Sequence, residues 1–405
     1  MKKRPDPRVL ALNGGSSSIK FALFDAGDPL RRLLAGNIEP IGRPEITLRV
    51  EGLTPEDSFS RPLAAPDYTT AVGLLLDWLE ERLGGDGLTA VGHRVVHGGP
   101  KYSEPQRLTA QLVDDLRGLS SFDPQHLPHE IQLAQAVQER FPELPQVMCF
   151  DTGFHHDLPR VARILPIPRK YEAQGVRRYG FHGLSYAFLV GELKRIAGAK
   201  VAQGRLVLAH LGNGASLAAV RNGRSVDTSM SFTPTGGVPM STRSGDLDPG
   251  LSWYFARTEG LDAKGFNEMV NFHSGLLGVS ETSSDMRDLL KRETQDVRAA
   301  EAIALFCYQV KKSIGGFAAA LGGLDTLVFA GGVGENAPQV RARICDGLGF
   351  LGIQLSDEQN AVNAAVISTA ASQVTVRVMR TDEERTIAEM VCRVLSIGRK
   401  ERPGS

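Results

Sequence analysis

The stretch VLALNGGSSSIKFALFD, from Val9 to Asp25, joins two apolar runs through a turn of two glycines and three serines. This pattern predicts a β-hairpin whose backbone N–H groups and hydroxyls can face an anion. Lys20 lies where the second strand begins and adds a positive charge. A similar pattern recurs in LVLAHLGNGASLAAVRNG, from Leu206 to Gly223. One such hairpin also fits an ordinary exposed turn, but two at matched positions predict a duplicated nucleotide-binding unit.

The size and charge of the chain limit the classes of protein to which it can belong. Its 405 residues exceed the roughly 250–300 at which a single core stops growing, so two domains are expected. The 46 basic residues equal the 46 acidic ones, which leaves no net field to attract nucleic acid or a membrane. Four cysteines lie far apart in apolar surroundings and predict buried thiols in a reducing compartment. No signal peptide or membrane-spanning run is recognised, so a cytoplasmic protein is expected.

Strand patterns alternate with helical ones along the chain, which predicts an α/β fold, and the leading hairpins favour mixed sheets. The interpretation includes strands at 90–96, 147–150, 206–211, 215–221 and 326–330, helices at 128–140 and 383–397, and a helix that starts at Asn336.

Several polar residues stand in contexts that suggest chemistry, although each also has an ordinary structural interpretation. Arg94 in GHRVVHGG and Arg243 in MSTRSGDLDPG fit a pair of phosphate or carboxylate clamps, or else surface ion pairs. Asp151 ends a strand in CFDTGFHH and fits a metal or catalytic ligand or a helix cap. His182 in RRYGFHGLS is poorly explained by helical periodicity. Glu383 fits either a helix-dipole partner or a magnesium ligand.

The turn GGVGEN, residues 331–336, follows a buried strand and brings backbone N–H groups to one place, which favours phosphate or ribose oxygens. Asn13 and Asn213 can each offer an amide to a phosphate or a hydrated metal. The close histidine pairs at 126/129 and 155/156 match no metal-binding pattern, so core or supporting histidines are expected there.

Taken together, these segments resemble the acetokinase family of the sugar kinase and actin-like phosphotransferase superfamily. The resemblance extends from residue 10 to about residue 390, and the matching segments occur in that family's order. They are LNGGSSSIKF, GHRVVHGG, FDTGFHH, RRYGFHGLS, HLGNGAS, VDTSMSFTP, TRSGDLDPG, SSDMRD, GGVGEN and RTDEE.

The resemblance implies two duplicated actin-like, ribonuclease H-like domains with mixed sheets and an active-site cleft between them. The first domain would comprise residues 1–155 and 384–405, and the second residues 156–383. The implied activity is the reversible, ATP-dependent phosphorylation of acetate to acetyl phosphate, which serves acetyl-CoA biosynthesis. ATP or ADP and Mg²⁺, for which Mn²⁺ can substitute, are the implied cofactors, and a cytoplasmic homodimer without nucleic-acid or membrane partners is the implied form.

By the same resemblance, Arg94, Arg243, His182 and Asp151 would be the catalytic residues. Arg94 and Arg243 would hold the carboxylate and the moving phosphoryl group, and His182 would donate to the phosphoryl oxygens. Asn13 and Glu383 would hold the metal, mostly through water. The acid would be bound by Arg94, Val96, His126, Phe181 and Pro234. The nucleotide and its phosphates would contact Ser16, Ser18, Lys20, His210, Leu211, Gly212, Asn213, Gly214, Asp285, Met286, Arg287, Gly332, Val333, Gly334, Glu335 and Asn336.

The sequence departs from the family pattern around the implied acid slot. His126-Leu127-Pro128 replaces the usual His-Asn-Pro, and Gln125 stands where the family tends to be apolar. Propionate or another short acid therefore stays open beside acetate. Two other classes also stay open: a sugar or polyol kinase, which would leave the two arginines unexplained, and an actin-like ATPase that needs no acid.

Overall fold

The computed structural model describes residues 7–15, 18–41, 46–64, 67–83 and 87–398. The chain divides into two compact units. The first runs to Gly153 and resumes at Asp382, and the second is Phe154–Thr381.

The first unit is built on a sheet in the order β5-β4-β3-β2-β1-β6-β8-β7. Neighbouring strands from β1 to β5 are antiparallel, whereas β6 is parallel to β1 and β8 is parallel to β6. The strands are β1 Arg8–Gly14, β2 Ile19–Asp25, β3 Arg31–Glu39, β4 Ile46–Gly52, β5 Phe59–Leu63, β6 Ala90–Val95, β7 Gln106–Arg107 and β8 Gln146–Phe150.

The second unit repeats this arrangement in a sheet ordered β11-β10-β9-β12-β13. Here β9 is antiparallel to β10 and parallel to β12, as β1 is to β2 and β6. The strands are β9 Arg205–Leu211, β10 Ala215–Arg221, β11 Arg224–Thr228, β12 Thr326–Ala330 and β13 Thr375–Val378. The order and sense of β3-β2-β1-β6-β8 therefore recur, and the α/β class with duplicated mixed sheets is confirmed.

Helices cover the sheets of both units. They are α1 Tyr68–Leu83, α2 Ala110–Gly118, α3 Leu127–Arg140, α4 Arg160–Arg163, α5 Arg169–Ala173, α6 Gly183–Ala197, α7 Ala199–Ala202, α8 Gly250–Thr258, α9 Ala263–Phe272, α10 Gly275–Ser280, α11 Met286–Arg292, α12 Val297–Leu321, α13 Gly331–Asn336, α14 Pro338–Cys345, α15 Asp357–Ala361 and α16 Glu383–Leu395. Short 3₁₀ turns lie at Pro55–Asp57, Gly153–His155 and Gly349–Leu351.

Two packing contacts fix helices on the sheet of the first unit. Trp78 of α1 packs against Phe21 of β2, with ring centroids 5.6 Å apart, and each such buried side chain contributes about 1.5–3 kcal/mol. The C-terminal α16 returns to this sheet at Gly92, where an added Cβ would lie 2.4 Å from the Cγ2 of Ile387. This close approach brings the first residue of α16, Glu383, to the end of the sheet that carries Arg94.

The predictions from the sequence locate most of the central strands correctly and are wrong at the glycine-rich turn. Asn222-Gly223 forms a tight turn between β10 and β11, in which both residues have positive φ, 55° and 72°. The predicted helix start at Asn336 is wrong. A six-residue helix begins at Gly331, where φ is +76°, and ends before Pro338, whose missing N–H allows a new helix to start but not the old one to continue. Helix α6 and strands β5 and β11 were not predicted.

All four cysteines are free thiols. The predicted burial holds for Cys149, Cys307 and Cys345, whereas Cys392 is half-buried. In the part of the chain that the structure describes, the helices are too short or too polar to cross a bilayer.

Candidate active site

Three of the singled-out residues lie at one end of the first sheet. Asn13 lies near the end of β1, Arg94 near the end of β6, and Asp151 directly after β8. These three strands are mutually parallel neighbours, so their carboxyl ends meet at the same edge of the sheet. Ligand sites in α/β sheets commonly lie at that edge.

The guanidinium of Arg94 is held between two buried carboxylates. Its Nη1 donates to Glu130 Oε1 at 2.9 Å, and its Nη2 donates to Asp151 Oδ2 at 3.1 Å. The other oxygen of Glu130 accepts the backbone N–H of Val96 at 2.8 Å. Burial alone would lower the pKa of Arg94, but the charges of Asp151 and Glu130 raise it overall, so the arginine stays a fixed cation.

Glu383 is brought to the same edge by the start of α16. Asp382 caps that helix by accepting the backbone N–H of Arg385 at 3.0 Å. The Nδ2 of Asn13 donates to Glu383 Oε2 at 3.0 Å. Burial, and secondarily the charge of Asp151, raises the pKa of Glu383 to about 7, which a neighbouring cation would reverse.

This donor set fits a magnesium ion. Carboxylate and amide oxygens are the hard ligands that Mg²⁺ takes, and the ion usually keeps several waters. Across the described ranges, no group of three or more His, Cys, Asp and Glu side chains is arranged around a common metal position.

The predicted acid-binding residues of the first unit adjoin the Arg94 cluster. Val96 is buried beside it and donates its N–H to Glu130. His126 precedes α3, and its Nδ1 lies 2.9 Å from Asp123 Oδ1, which also accepts the backbone N–H of His126 at 3.0 Å. The Asp123 carboxylate therefore fixes the orientation of the His126 ring.

In the second unit, His182 stands at an unusual backbone position immediately before α6. Its φ of 58° lies in the left-handed region, which is uncommon outside glycine. Its Nδ1 lies 2.8 Å from Ser216 Oγ on β10, and its ring stacks on His210 with centroids 4.3 Å apart. Such a locally unfavourable conformation, held by side-chain contacts, is typical of functional sites.

Arg243 lies close to His182 across a glycine. A Cβ added to Gly214 would come within 3.1 Å of His182 Nε2 and 3.6 Å of Arg243 Nη1. Arg243 Nη1 also donates to the carbonyl oxygen of Pro234 at 3.3 Å. The structure therefore brings together His182, Gly214 and Arg243, which are far apart in the sequence.

The predicted nucleotide residues of β9 and α13 are neighbours. Ala330, the last residue of β12, pairs with His210, so α13 begins beside the turn after β9. Within α13, Glu335 Oε1 accepts the backbone N–H of Gly331 at 3.0 Å, and Asn336 Nδ2 donates to Gly332 O at 3.0 Å. Asn213 accepts the backbone N–H of Ser241 at 3.1 Å. Leu211, Val333 and Gly334 belong to these same segments.

The remaining predicted residues lie in the segment at the start of α11, directly before His182, and in the first hairpin. Asp285 caps α11 and forms an ion pair with the exposed Arg287 at 2.6 Å, next to the buried Met286. Phe181 is buried, and its carbonyl oxygen lies 3.0 Å from His155 Nε2. Ser16 lies outside the described residues.

The first hairpin retains two described members of the predicted phosphate turn. Ser18 accepts the backbone N–H of Gly15 at 2.8 Å, and Lys20 pairs with Asn13 across the hairpin. The charge of Lys20 is close enough to favour the ionised form of Glu383.

Sequence reasoning missed the residues that hold the predicted ones in place. Glu130 lies in the first turn of α3, two residues after Pro128, and its place on the buried, apolar face of that helix is the signal for a buried charge. Ser216 lies on an almost wholly apolar strand, which also marks it out. Arg341 is fully buried and donates to the carbonyl oxygens of Gly334 and Glu335 at 2.9 and 3.0 Å. No local sequence pattern indicates that Arg341 is buried.

Comparisons with known proteins agree over almost the entire chain. The sequence model of the Acetokinase family matches residues 8–389. The chain is 43% identical over 400 residues to an acetate kinase of Rhodopseudomonas palustris (strain ATCC BAA-98 / CGA009). That alignment covers 96% of this chain and 99% of the relative. It is 40% identical over 399 residues to a propionate kinase of Citrobacter rodentium (strain ICC168), with 96% of each chain covered. The crystal structure of Porphyromonas gingivalis acetate kinase superposes with a TM-score of 0.86 at 37% identity and covers 96% of this chain and 100% of that one. The chain belongs to the acetokinase family.

Proposed function

We propose that this protein is an enzyme that transfers the terminal phosphoryl group of ATP to acetate and that also runs the reaction in reverse from acetyl phosphate. The observation that carries the proposal is the Arg94 guanidinium, fixed at 2.9 and 3.1 Å from two buried carboxylates, in a chain of this family. A fixed cation that keeps some exposure is suited to an anionic acceptor, whereas a sugar hydroxyl would not need it.

The chemistry needs placement and charge neutralisation more than proton transfer. A carboxylic acid with a pKa near that of glutamate, roughly 4.3, is already ionised at neutral pH, so no strong base is required. Two anions must instead be brought into line, and their repulsion must be cancelled. We assign binding of the acid carboxylate to Arg94 and stabilisation of the phosphoryl oxygens to His182 and Arg243.

The hydrogen bonding of His182 supports its assignment as a donor. Because Ser216 Oγ lies at its Nδ1, the hydroxyl can donate there and leave the proton of the neutral ring on Nε2. One carboxylate oxygen of Asp151 accepts a hydrogen bond from Arg94, which supports an orienting role for Asp151 rather than proton transfer.

We assign the metal to Asn13 and Glu383. When bound, Mg²⁺ neutralises charge on the phosphates of the nucleotide. Asn13 orients the Glu383 carboxylate through their 3.0 Å hydrogen bond, and Lys20 favours its ionised form.

Propionate is the second candidate acid. A propionate kinase is among the relatives at 40% identity, nearly as similar as the acetate kinases. We assign Val96, Phe181 and Pro234 to the apolar slot for the acid's methyl group, and Gln125 is a half-buried polar side chain next to His126.

The deciding experiment is a kinetic panel with acetate, propionate, butyrate and glycerol, in which acyl phosphate is trapped as hydroxamate and ADP release is followed in parallel. We expect hydroxamate with acetate and a higher kcat/KM for acetate than for propionate. A higher value for propionate would favour the second candidate. ADP release only with glycerol, or without any acid, would exclude both.

We also propose a homodimer, and helix α8 supports this. None of its nine residues is buried, and Trp253 and Tyr254 are 67% and 57% exposed. Adjacent exposed aromatic side chains are typical of protein interfaces. Light scattering is expected to give twice the 43.7 kDa mass of the chain and a lower value for Trp253→Asp. A monomeric wild-type protein would exclude the dimer.

The balanced charge of the chain supports an enzyme without nucleic-acid or membrane partners, and its four free thiols support a reducing compartment such as the cytoplasm. The acid panel does not depend on this inference.

A further inference from the structure

A continuous series of contacts in the second unit joins helix α13 to the stacked histidines. Its centre is Ser185 on α6, which has no solvent exposure. The Oγ of Ser185 lies 2.8 Å from His210 Nδ1 and 2.7 Å from Thr381 Oγ1. One hydroxyl therefore connects an imidazole to the last residue of the second unit.

Thr381 is in turn connected to α13. The backbone N–H groups of Thr381 and Gly331 donate to the same carboxylate oxygen, Glu335 Oε1, at 3.4 and 3.0 Å. Gly331 is the first residue of α13 and Glu335 lies one turn later. The Glu335 carboxylate therefore ties the start of this helix to the segment that carries Thr381.

At the other end, the ring of His210 packs against His182, and the backbone of His210 pairs with Ala330, the residue before α13. The ring stacks on His182 with centroids 4.3 Å apart and planes 24° apart. A Cβ added to Gly212 would lie 3.9 Å from both His210 Nε2 and the backbone N of Gly332. A shift of α13 or of Thr381 would therefore displace the ring of His210, against which His182 packs.

The two hydroxyls can also select a tautomer of His210. Each carries one proton, so Thr381 can donate to Ser185 while Ser185 donates to Nδ1. The ring then carries its own proton on Nε2, on the side of Gly212. Valine at 381 would remove the first donor while keeping the shape of the side chain.

From these contacts we infer that Ser185, Thr381 and Glu335 are positioning residues that couple the placement of α13 to the orientation of His210 and, through stacking, of His182. The inference rests on the proposed phosphoryl transfer, in which α13 contacts the nucleotide and His182 the phosphoryl group. Neither Ser185 nor Thr381 needs to touch a substrate.

The test compares the full-length wild type with Thr381→Val, Thr381→Ser, Ser185→Ala, the double variant of Thr381→Val with Ser185→Ala, and a control, Ser313→Ala. Ser313 lies on α12 and its hydroxyl donates to Gln309 O, within its own helix. For each protein, kcat, the KM values for ATP and acetate, and the melting temperature are measured. ¹⁵N spectra of histidine-labelled protein report the tautomer of His210, with His210→Gln used to assign its signals.

We expect Thr381→Val and Ser185→Ala each to lower kcat by about 3- to 10-fold, the change that corresponds to losing one neutral hydrogen bond. Because both act on one relay, the double variant should fall no further than the lower single variant. Thr381→Ser keeps the hydroxyl and should stay within about twofold of wild type, as should Ser313→Ala. The His210 signals should change in Thr381→Val.

A wild-type kcat in Thr381→Val and Ser185→Ala would overturn the inference, and so would losses that multiply in the double variant. Unchanged His210 signals in Thr381→Val would overturn it independently of turnover. If Ser185→Ala fails to fold, the matched pair of Thr381→Val and Thr381→Ser still decides. Failure of the proposed function would appear differently, as absence of acid-dependent turnover in the wild type, while the ¹⁵N spectra still test the relay.

Discussion

Arg94 Nη1 lies 2.9 Å from Glu130 Oε1, and the Glu130 side chain has no exposure to solvent. Burial raises the pKa of Glu130, and the attraction of Arg94 opposes that change. An ion pair removed from water is retained only where both groups are also hydrogen-bonded, as Glu130 is through Val96 N–H. Its consequence for function is a guanidinium that cannot swing away from the edge of the sheet.

Glu130→Gln is expected to lower kcat by about 10- to 100-fold, because a charge-assisted hydrogen bond to Arg94 is lost while the shape of the side chain remains. The matched control is Glu139→Gln, an exposed acid on the same helix, which should keep wild-type kinetics. Steady-state kinetics with acetate and ATP decide this. Equal kcat values for the two variants would show that Glu130 does not position Arg94.

Gly214→Ala is expected to reduce turnover with little change in stability. The new methyl group would lie 3.1 Å from His182 Nε2 and 3.6 Å from Arg243 Nη1, so one of these side chains must move by a few tenths of an ångström. Small displacements at a phosphoryl-transfer site can cost up to about 100-fold in rate. Gly191→Ala on α6, where an added Cβ meets nothing within 4 Å, is the control and should retain activity. Wild-type turnover in Gly214→Ala would speak against the proposed roles of both side chains.

Magnesium is expected to stabilise the protein more at pH 8 than at pH 6. The pKa of Glu383 is raised to about 7, so its carboxyl is mostly protonated at pH 6 and must lose that proton to bind a cation. Without metal, stability depends on pH in the opposite direction. The contribution of Glu383 to the free energy of unfolding is full below its ordinary pKa of 4.5 and is lost as the pH rises through about 7. Urea unfolding with and without Mg²⁺ at both pH values measures this, and Glu383→Gln should remove both effects. Equal stabilisation by Mg²⁺ at pH 6 and 8 would argue against Glu383 as a ligand.

His93 is expected to make the protein acid-sensitive. Burial lowers its pKa from 6.5 to about 4, so its contribution to stability is present above pH 6.5 and is lost as the pH falls through about 4. In this window the wild type should lose up to about 1.4 kcal/mol per pH unit relative to His93→Gln. The difference in unfolding free energy between the two proteins isolates this group from other titrations. Parallel pH profiles would refute the prediction, and His273→Gln serves as an exposed control.

Arg341→Met is expected to destabilise the second unit by about 3–5 kcal/mol, since buried acceptors lose their donors. The guanidinium donates to Gly334, Glu335, Asn360 and Asn363, and burial lowers its pKa to about 10. Arg343→Ala on the same helix removes a partly exposed ion pair and should cost no more than about 1 kcal/mol. Thermal unfolding compares the two. Similar losses in both variants would contradict a special role for the buried arginine.

Much of the fold was predictable because local patterns carry it. Alternating and continuous apolar runs located β1, β6, β9 and β12, since strand geometry depends mainly on neighbouring residues. The helix start in GGVGEN was misplaced because Gly331 and Pro338 act through backbone torsions that apolar periodicity does not contain.

The sequence by itself determined the duplicated hairpins, the α/β class, and which short segments carry reactive residues. Only the tertiary structure decided which side chains meet. Glu130 reaches Arg94 across 36 residues, Ser216 reaches His182 across 34, and Thr381 reaches Ser185 across 196. Such contacts depend on strand register, on the close approach of α16 at Gly92 and on the left-handed turn at His182. A residue type and its immediate neighbours specify a propensity, whereas a partner is specified by where the rest of the chain packs.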